Sequence, residues 1–258
     1  MAETWAPSQY LKFAAPRLRP ALDLLARVDA EAPAAVYDLG CGAGAATQLL
    51  AARWPAAAVT GVDSSPTMLS RARREEGGAA IAWVESDLTE WAPSDAADVL
   101  FSNAALHWLE DHDQLFPRLV GCLRAGGVLA VQMPRNHEAP SHTSMAEAAR
   151  AGPWRTRLEP VLRPTPVETP NTYHEILAPL AAFVDIWETE YTHVLDGDNP
   201  VVEWTKGTAL RPLLDALEVG ERERFLAEHA ARLAAAYPRR PDGTTLFPFR
   251  RLFIVARR

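Results

Sequence analysis

The feature that most constrains this chain is the alternation of strand-like and helix-like patterns along its first 133 residues. Ala34 to Leu39 (AAVYDL) is a short apolar run that leads into glycines and then a helix-like ATQLLAARW. Ala57 to Val62 (AAVTGV) is a second strand, and Ser65 with Pro66 behind it suits a helix start, Ser65 as N-cap and Pro66 at the first helical position. Ala80 to Glu85 and Ala97 to Ser102 are a third and a fourth strand. Asp111 and Gln114 resemble a capping box for a helix running to about Leu123, after which Gly126 and Gly127 launch a fifth strand, VLAVQM. Strands that are continuously apolar and separated by helices belong to a parallel sheet covered on both faces. The reading is an open, doubly wound α/β domain whose ligand sits at the carboxyl ends of the strands.

The rhythm changes after Met133. Seven prolines from Pro134 to Pro170 predict a loop-rich stretch with at most short helices. Phe183 to Val194 alternates like a half-solvated strand, Glu221 to Tyr237 is an amphipathic helix, and Leu252 to Ala256 reads as a buried closing strand. The expected architecture is a Rossmann-like, seven-stranded, mostly parallel sheet with helices on both faces and a helical cap insertion. Residues 1–134 hold an N-terminal helix and the core, 135–245 are mainly cap with a sheet strand near 183–194, and 246–258 close the core. The N-terminal helix, roughly Pro16 to Val28, is expected over the same mouth.

Composition narrows the function. At 258 residues and 48% hydrophobic the chain can bury a large core, and no apolar run approaches a membrane span. The first residues lack a secretion signal. A formal charge of −7 disfavours a general nucleic-acid binder, and two cysteines are too few for a disulfide scaffold or a cysteine-based zinc site. These point to a cytoplasmic small-molecule protein, monomer or weak homodimer, with no nucleic-acid or membrane partner and no metal.

The most specific signal is Asp38-Leu-Gly-Cys-Gly-Ala-Gly44 between the first strand and its helix. Gly40 and Gly42 let the backbone turn tightly against a ligand at a helix N-terminus. Alone, the loop also fits the dinucleotide pattern, which leaves an NAD(P)-dependent oxidoreductase open. The carboxylates decide. Asp38 stands where a negative charge repels a pyrophosphate but suits an amino group or sulfonium. Asp63, with Ser64 after it, is placed to accept both ribose hydroxyls. Asp87, with Leu88, can accept from an adenine amino group, and Asn103 can line the floor with its backbone carbonyl. That pattern suggests S-adenosyl-L-methionine (SAM) as cofactor and S-adenosyl-L-homocysteine as its product.

Several stretches carry a narrower likeness. They are TyrLeuLysPhe at 10–13 with Arg17, Arg19 and Pro20, AspLeuGlyCysGly at 38–42, GlyValAspSerSerProThrMetLeu at 61–69 and SerAsnAlaAlaLeuHisTrpLeu at 102–109. GlyGlyValLeuAlaValGlnMetPro at 126–134, GluTrpThrLysGlyThrAlaLeuArgPro at 203–212 and ArgLeuPheIleValAlaArg at 251–257 are more particular. Together they make the chain resemble the class I SAM-dependent methyltransferases and, within them, the trans-aconitate 2-methyltransferase family. The resemblance implies esterification of a carboxylate on a small polycarboxylate. It places Tyr10 and Arg17 with the cofactor residues, and Arg19, His107, Trp108, Arg211 and Arg251 at the substrate. A carboxylate is ionised at neutral pH, so its methylation requires no general base, and arginine forks suit such a substrate. The sequence departs from the family at Arg135, where its pattern is acidic, and at His107, where it often has Gln. If both line the pocket, a different acid or a hydroxyl is the alternative acceptor, with His107 as its base. His112 between Asp111 and Asp113 reads as a solvated helix start, and Cys41 as a small residue in the glycine turn.

Overall fold

The structure, a computed structural model, describes residues 14–75, 80–162 and 165–258, with side chains from Leu18 onward. The chain divides into two compact units. One comprises Arg17–Pro134, Pro166–Thr189 and Arg251–Arg258; the other comprises Arg135–Thr165 and Glu190–Arg250.

The first unit opens with α1 (Ala14–Leu25), followed by β1 (Ala35–Leu39), α2 (Ala45–Arg53), β2 (Ala58–Asp63), α3 (Pro66–Arg74) and β3 (Ile81–Glu85). It continues through β4 (Ala97–Asn103), a 3₁₀ turn at Leu106–Trp108, α4 (His112–Gly121) and β5 (Leu123–Pro134). The later segments add α7 (Pro170–Leu177), β6 (Phe183–Leu195) and β7 (Thr245–Arg257), the last two running on into the second unit. The expected seven-stranded sheet forms, with the strands in the order β3-β2-β1-β4-β5-β7-β6. β3, β2, β1, β4 and β5 are parallel neighbours and β7 runs antiparallel to β5. The winding reverses between β1 and β4, so the crevice where an open α/β sheet takes its ligand lies at the ends of those two strands.

Ser65 caps α3 as predicted: its hydroxyl accepts the Met68 N–H at 3.3 Å, with Pro66 at the first helical position. β1 is pinned at its start by buried Asp98, whose Oδ2 accepts the N–H groups of Ala34 and Ala35, each at 2.8 Å. Leu39, Leu100, Leu129, Phe116 and Ile254 belong to one buried cluster with Tyr173. Each side chain of that size contributes about 1.5–3 kcal/mol on burial.

Two local readings need correction. Asp111 precedes α4 with a left-handed backbone (φ 54°) and makes no side-chain cap, so the expected capping box is not formed. The helix ends at Gly121, and β5 starts at Leu123, ahead of the glycine pair. Its neighbour His112 is buried rather than solvated.

The second unit holds α5 (Pro140–Ala151), α6 (Arg155–Leu158), α8 (Pro200–Lys206), α9 (Arg211–Asp215) and α10 (Val219–Ala236). α5 is a full 12-residue helix inside the proline-rich stretch read as loop. Pro140 sits at its N-terminal end, where a missing N–H costs nothing, so the proline marks a helix start instead of forbidding one. α10 carries the expected apolar face, Phe225 and Leu233 being buried with Trp154, Trp204 and Phe247. Tyr191 and Tyr237 are buried too, and the Tyr237 hydroxyl accepts the Ser141 N–H at 3.2 Å.

Candidate active site

The β1–α2 loop is folded by its own backbone. Gly40 and Cys41 both donate to the carbonyl of Val62 on β2, at 2.8 and 3.0 Å, which brings the loop over the end of the neighbouring strand. Gly40 adopts φ +74°, and a Cβ there would lie 2.2 Å from the Ala105 Cβ; both the turn and the close approach require glycine. Gly42 is the opposite case. Its backbone is also left-handed, yet a Cβ would meet nothing within 4 Å, so this is the side of the loop a ligand can approach.

Asp38 leaves β1 just before the loop and is 1% exposed, with Oδ2 accepting the Thr47 hydroxyl at 2.6 Å. Burial raises its pKa to about 7, the Thr47 hydrogen bond opposing the rise and the charge of Asp63 adding to it. Near neutrality this carboxyl is poised between its two states, and a cation placed beside it draws it to the ionised one. Asp63 ends β2, where Oδ2 accepts the Gly42 N–H at 2.8 Å and Oδ1 the Ser65 N–H at 2.9 Å. Each oxygen keeps a second lone pair, so a vicinal diol can be held without releasing the loop. Ser64 beside it is exposed. Asp87 lies two residues past β3; the Thr89 backbone and hydroxyl donate to it at 2.9 and 2.8 Å and hold its pKa below the usual carboxylate range. Leu88 is buried, with its carbonyl accepting from Arg118.

Around the reversal point, β4 ends at Asn103, whose Oδ1 is buried with no hydrogen-bond partner. Ala104 then takes a left-handed turn (φ 55°) and its N–H donates to the Gln132 carbonyl at 2.9 Å. His107 and Trp108 follow in the 3₁₀ turn with ring centroids 4.7 Å apart, Trp108 standing 52% exposed. Behind them His112 Nε2 faces the Leu106 carbonyl at 3.0 Å and Nδ1 the Tyr173 hydroxyl at 2.6 Å. Cys41 is buried, and burial with the nearby Asp38 and Asp63 charges pushes its thiol far up, so it is no nucleophile.

The expected arginines divide. Arg251 on β7 is buried, opposite Pro134 of β5, and its Nη1 donates to Gln132 Oε1 at 3.3 Å. Arg19 stands in solvent with its side chain 71% exposed, 3.9 Å from Asp23. Arg211 belongs to the second unit and is ion-paired to Asp215 at 2.9 Å. Tyr10 and the Arg17 side chain lie outside the described residues. Arg135 donates its N–H to the Arg250 carbonyl at 3.0 Å. Two participants escape the sequence patterns. Thr47 fixes Asp38 from α2, and Gln132 is a lone amide in the apolar run VLAVQM, a signal that was open to notice.

A cationic ligand bearing a diol and hydrogen-bond donors fits this set: an open face at Gly42, Asp38 for a cation, Asp63 for hydroxyls and an unmet acceptor on Asn103. Strand order, reversal point, glycine loop and these carboxylates define a class I SAM-dependent methyltransferase, with SAM as its cofactor. Among the described residues no group of three or more His, Cys, Asp and Glu side chains is arranged to hold a metal, and no helix is long and apolar enough to cross a membrane.

Comparison with known proteins gives the same class and a narrower family. Residues 36–127 match a family model described as a methyltransferase domain. The trans-aconitate 2-methyltransferase of Azoarcus sp. (strain BH72) is 49% identical over 253 residues, covering 98% of each chain. That of Streptomyces coelicolor is 47% identical over 266 residues, covering 100% of this chain and 88% of the other. In fold the chain is similar to the phosphoethanolamine N-methyltransferase 2 of Haemonchus contortus in complex with SAM. The TM-score is 0.57 at 18% identity, over 96% of this chain and 56% of that one. The chain belongs to the trans-aconitate 2-methyltransferase family.

Proposed function

We propose that this enzyme transfers the methyl group of SAM to a carboxylate of trans-aconitate, giving a monomethyl ester. The observation that carries the substrate is the 49% identity, sustained over 98% of both chains, to a relative that bears this name. The cofactor residues we assign are Asp38 for the cationic methionine end, Gly40 and Gly42 for the loop face, and Asp63 with Ser64 for the ribose. Asp87 and Leu88 take the adenine end, Asn103 lies by the methionine portion, and Tyr10 and Arg17 are added by the family resemblance. Arg251, His107 and Trp108 are the substrate residues of the first unit.

SAM supplies an electrophilic methyl on a sulfonium. The protein's part is to hold an acceptor oxygen in line with it and to keep water away. Trans-aconitate is fully ionised at neutral pH, so no side chain has to remove a proton, and His107 acts as a polar wall. A buried guanidinium such as Arg251 offsets the charge of a polycarboxylate far better than an exposed one. The exposed ion pair of Arg19 supports only a weak contribution from that residue.

The test is methyl transfer from labelled SAM to trans-aconitate, with the product identified by mass spectrometry. A monomethyl ester is expected. SAM binding without turnover on trans-aconitate, but with turnover on another acid or a hydroxyl compound, moves the substrate and turns attention to His107 and Arg135.

A further inference from the structure

The ends of β4 and β5 carry two polar side chains whose presence folding alone does not explain. Gln132 is 0% exposed in a strand whose neighbours Val131 and Met133 are equally buried. Its Oε1 accepts from Arg251, but its Nε2 is buried and has no partner among the described residues. Asn103 is its register partner on β4, and the Asn103 Oδ1 is likewise buried and unpartnered. Residues paired across parallel strands send their side chains to the same face about 4.8 Å apart. A free donor and a free acceptor therefore stand side by side. Each unmet group keeps its desolvation cost uncompensated, and buried polar groups elsewhere in proteins are almost always satisfied. Ser102, one residue before Asn103, shows the ordinary solution: its buried hydroxyl donates to the Leu39 carbonyl at 2.8 Å. Both open atoms also flank the strained, non-glycine turn at Ala104, whose N–H is held by the Gln132 carbonyl. Strain and unmet polarity collect where a ligand completes the structure.

We propose that this amide pair divides the bound reactants between its two members, an inference that rests on the carboxyl-methyltransferase reading above. A carboxylate can only accept hydrogen bonds, so it pairs with the NH₂ of Gln132 alongside Arg251 and cannot pair with the Asn103 carbonyl. The cationic methionine end of the cofactor carries donors and takes the Asn103 oxygen. The register of β4 against β5 thereby sets the acceptor carboxylate beside the methionine end of the cofactor. Gln132 is a specificity-determining residue for anionic acceptors. A glutamate in its place would repel the substrate and neutralise Arg251.

The experiment compares Gln132→Leu, Gln132→Glu and Asn103→Leu by calorimetric titration as well as turnover. SAM is titrated into the free enzyme, and trans-aconitate into enzyme saturated with S-adenosyl-L-homocysteine. Gln132→Leu is expected to weaken trans-aconitate binding and raise its KM at least tenfold, with the SAM Kd within twofold of the parent. Gln132→Glu should weaken trans-aconitate by a further factor of ten. Asn103→Leu should raise the SAM Kd about tenfold. An unchanged KM in Gln132→Leu, or losses of SAM affinity in all three variants alike, overturns the assignment. Should Gln132→Leu fail to fold, Gln132→Met, unbranched and of similar length, takes its place under the same criteria. A parent enzyme that methylates no di- or tricarboxylate sinks the substrate reading and this inference with it. A parent that turns over while Gln132→Leu matches it sinks the inference alone.

Discussion

The two halves of the crevice are finished to different degrees. At the ends of β1, β2 and β3 three aspartates are engaged by the chain itself: Asp38 by Thr47, Asp63 by Gly42 and Ser65, Asp87 by Thr89. At the ends of β4 and β5 the side chains of Asn103 and Gln132 keep atoms that nothing among the described residues satisfies. The cofactor half is thus preorganised and presents spare lone pairs on groups already in place. The half at β4 and β5 keeps open atoms for the ligands proposed above, the cofactor's methionine end at Asn103 and the acceptor at Gln132. On this reading cutting the hydrogen-bonded frame costs cofactor affinity, while removing an open atom costs the ligand proposed for it, SAM at Asn103 and the acceptor at Gln132.

The largest effect should follow from cutting the frame at Asp63. Asp63→Ala removes two acceptors for ribose hydroxyls and releases the N–H groups of Gly42 and Ser65. Hydrogen bonds to a charged group contribute about 1.5–3 kcal/mol each, so SAM affinity should fall by a factor of about 100 or more in calorimetric titration. A fall below tenfold would place the ribose elsewhere and erase the contrast between the halves.

Next come the two glycines. Gly40→Ala forces a Cβ to 2.2 Å from Ala105 at a left-handed backbone position and should cost about 3 kcal/mol of stability. That lowers Tm by about 6–12 °C in a chain of this size. Gly42→Ala meets open space and costs only the backbone strain of about 1–2 kcal/mol, but its methyl occupies the ligand's side of the loop. Its loss should therefore appear in SAM binding more than in thermal melting. Equal behaviour of the two variants would contradict the assignment of the open face.

How much of this was readable beforehand follows the range of the forces involved. The glycine loop, the Ser65–Pro66 helix start and the carboxylates at successive strand ends are local patterns, and they appear where the spacing puts them. The parallel sheet covered by helices follows from the alternation of continuously apolar strands with helices. What escaped reading depends on contacts distant in sequence. Asp111 looks like a cap, but the turn entering α4 gives it a left-handed backbone and takes its side chain out of play. His112 reads as solvent-facing until Tyr173, 61 positions away, covers it. Gln132 is a different case: periodicity does not flag it, but a lone amide in the apolar run VLAVQM is legible as an exception.

Asp38 gives a pH test of the cofactor half. A cation binds the ionised carboxylate, and the free enzyme's carboxyl has its pKa raised to about 7 by burial. Below pH 7 SAM binding must therefore expel a proton, and affinity should fall approaching tenfold per pH unit, measured from pH 8 to pH 5.5. Asp87, held low, contributes nothing in that range. The stability sign is opposite. A carboxyl whose folded pKa is raised favours the folded state while protonated, and that advantage is lost as pH climbs from about 4 through 7. Asp38→Asn can still accept from Thr47 but carries no buried charge. It should raise Tm at pH 8, abolish the pH slope of SAM binding and weaken that binding throughout, an exchange of stability for function. A pH-independent SAM affinity in the parent enzyme would mean that Asp38 does not meet the cation.

The smallest effect tests the acceptor half from behind. His112 is held neutral, its pKa lowered chiefly by burial. Its Nε2 therefore donates to the Leu106 carbonyl only in the tautomer whose Nδ1 accepts the Tyr173 hydroxyl proton, and that hydroxyl in turn accepts the Glu168 N–H at 3.1 Å. This relay fixes the base of the turn that carries His107 and Trp108. Tyr173→Phe keeps the packed ring, so it should cost about 1–2 kcal/mol from the unmet partners. The turn then gains freedom where it faces the acceptor and none where it faces the ribose. We expect a KM for the acceptor raised about threefold, with SAM affinity unchanged. If SAM affinity falls as far as acceptor affinity, the two halves are mechanically one, and the frame at β1 and β2 draws part of its order from the turn after β4.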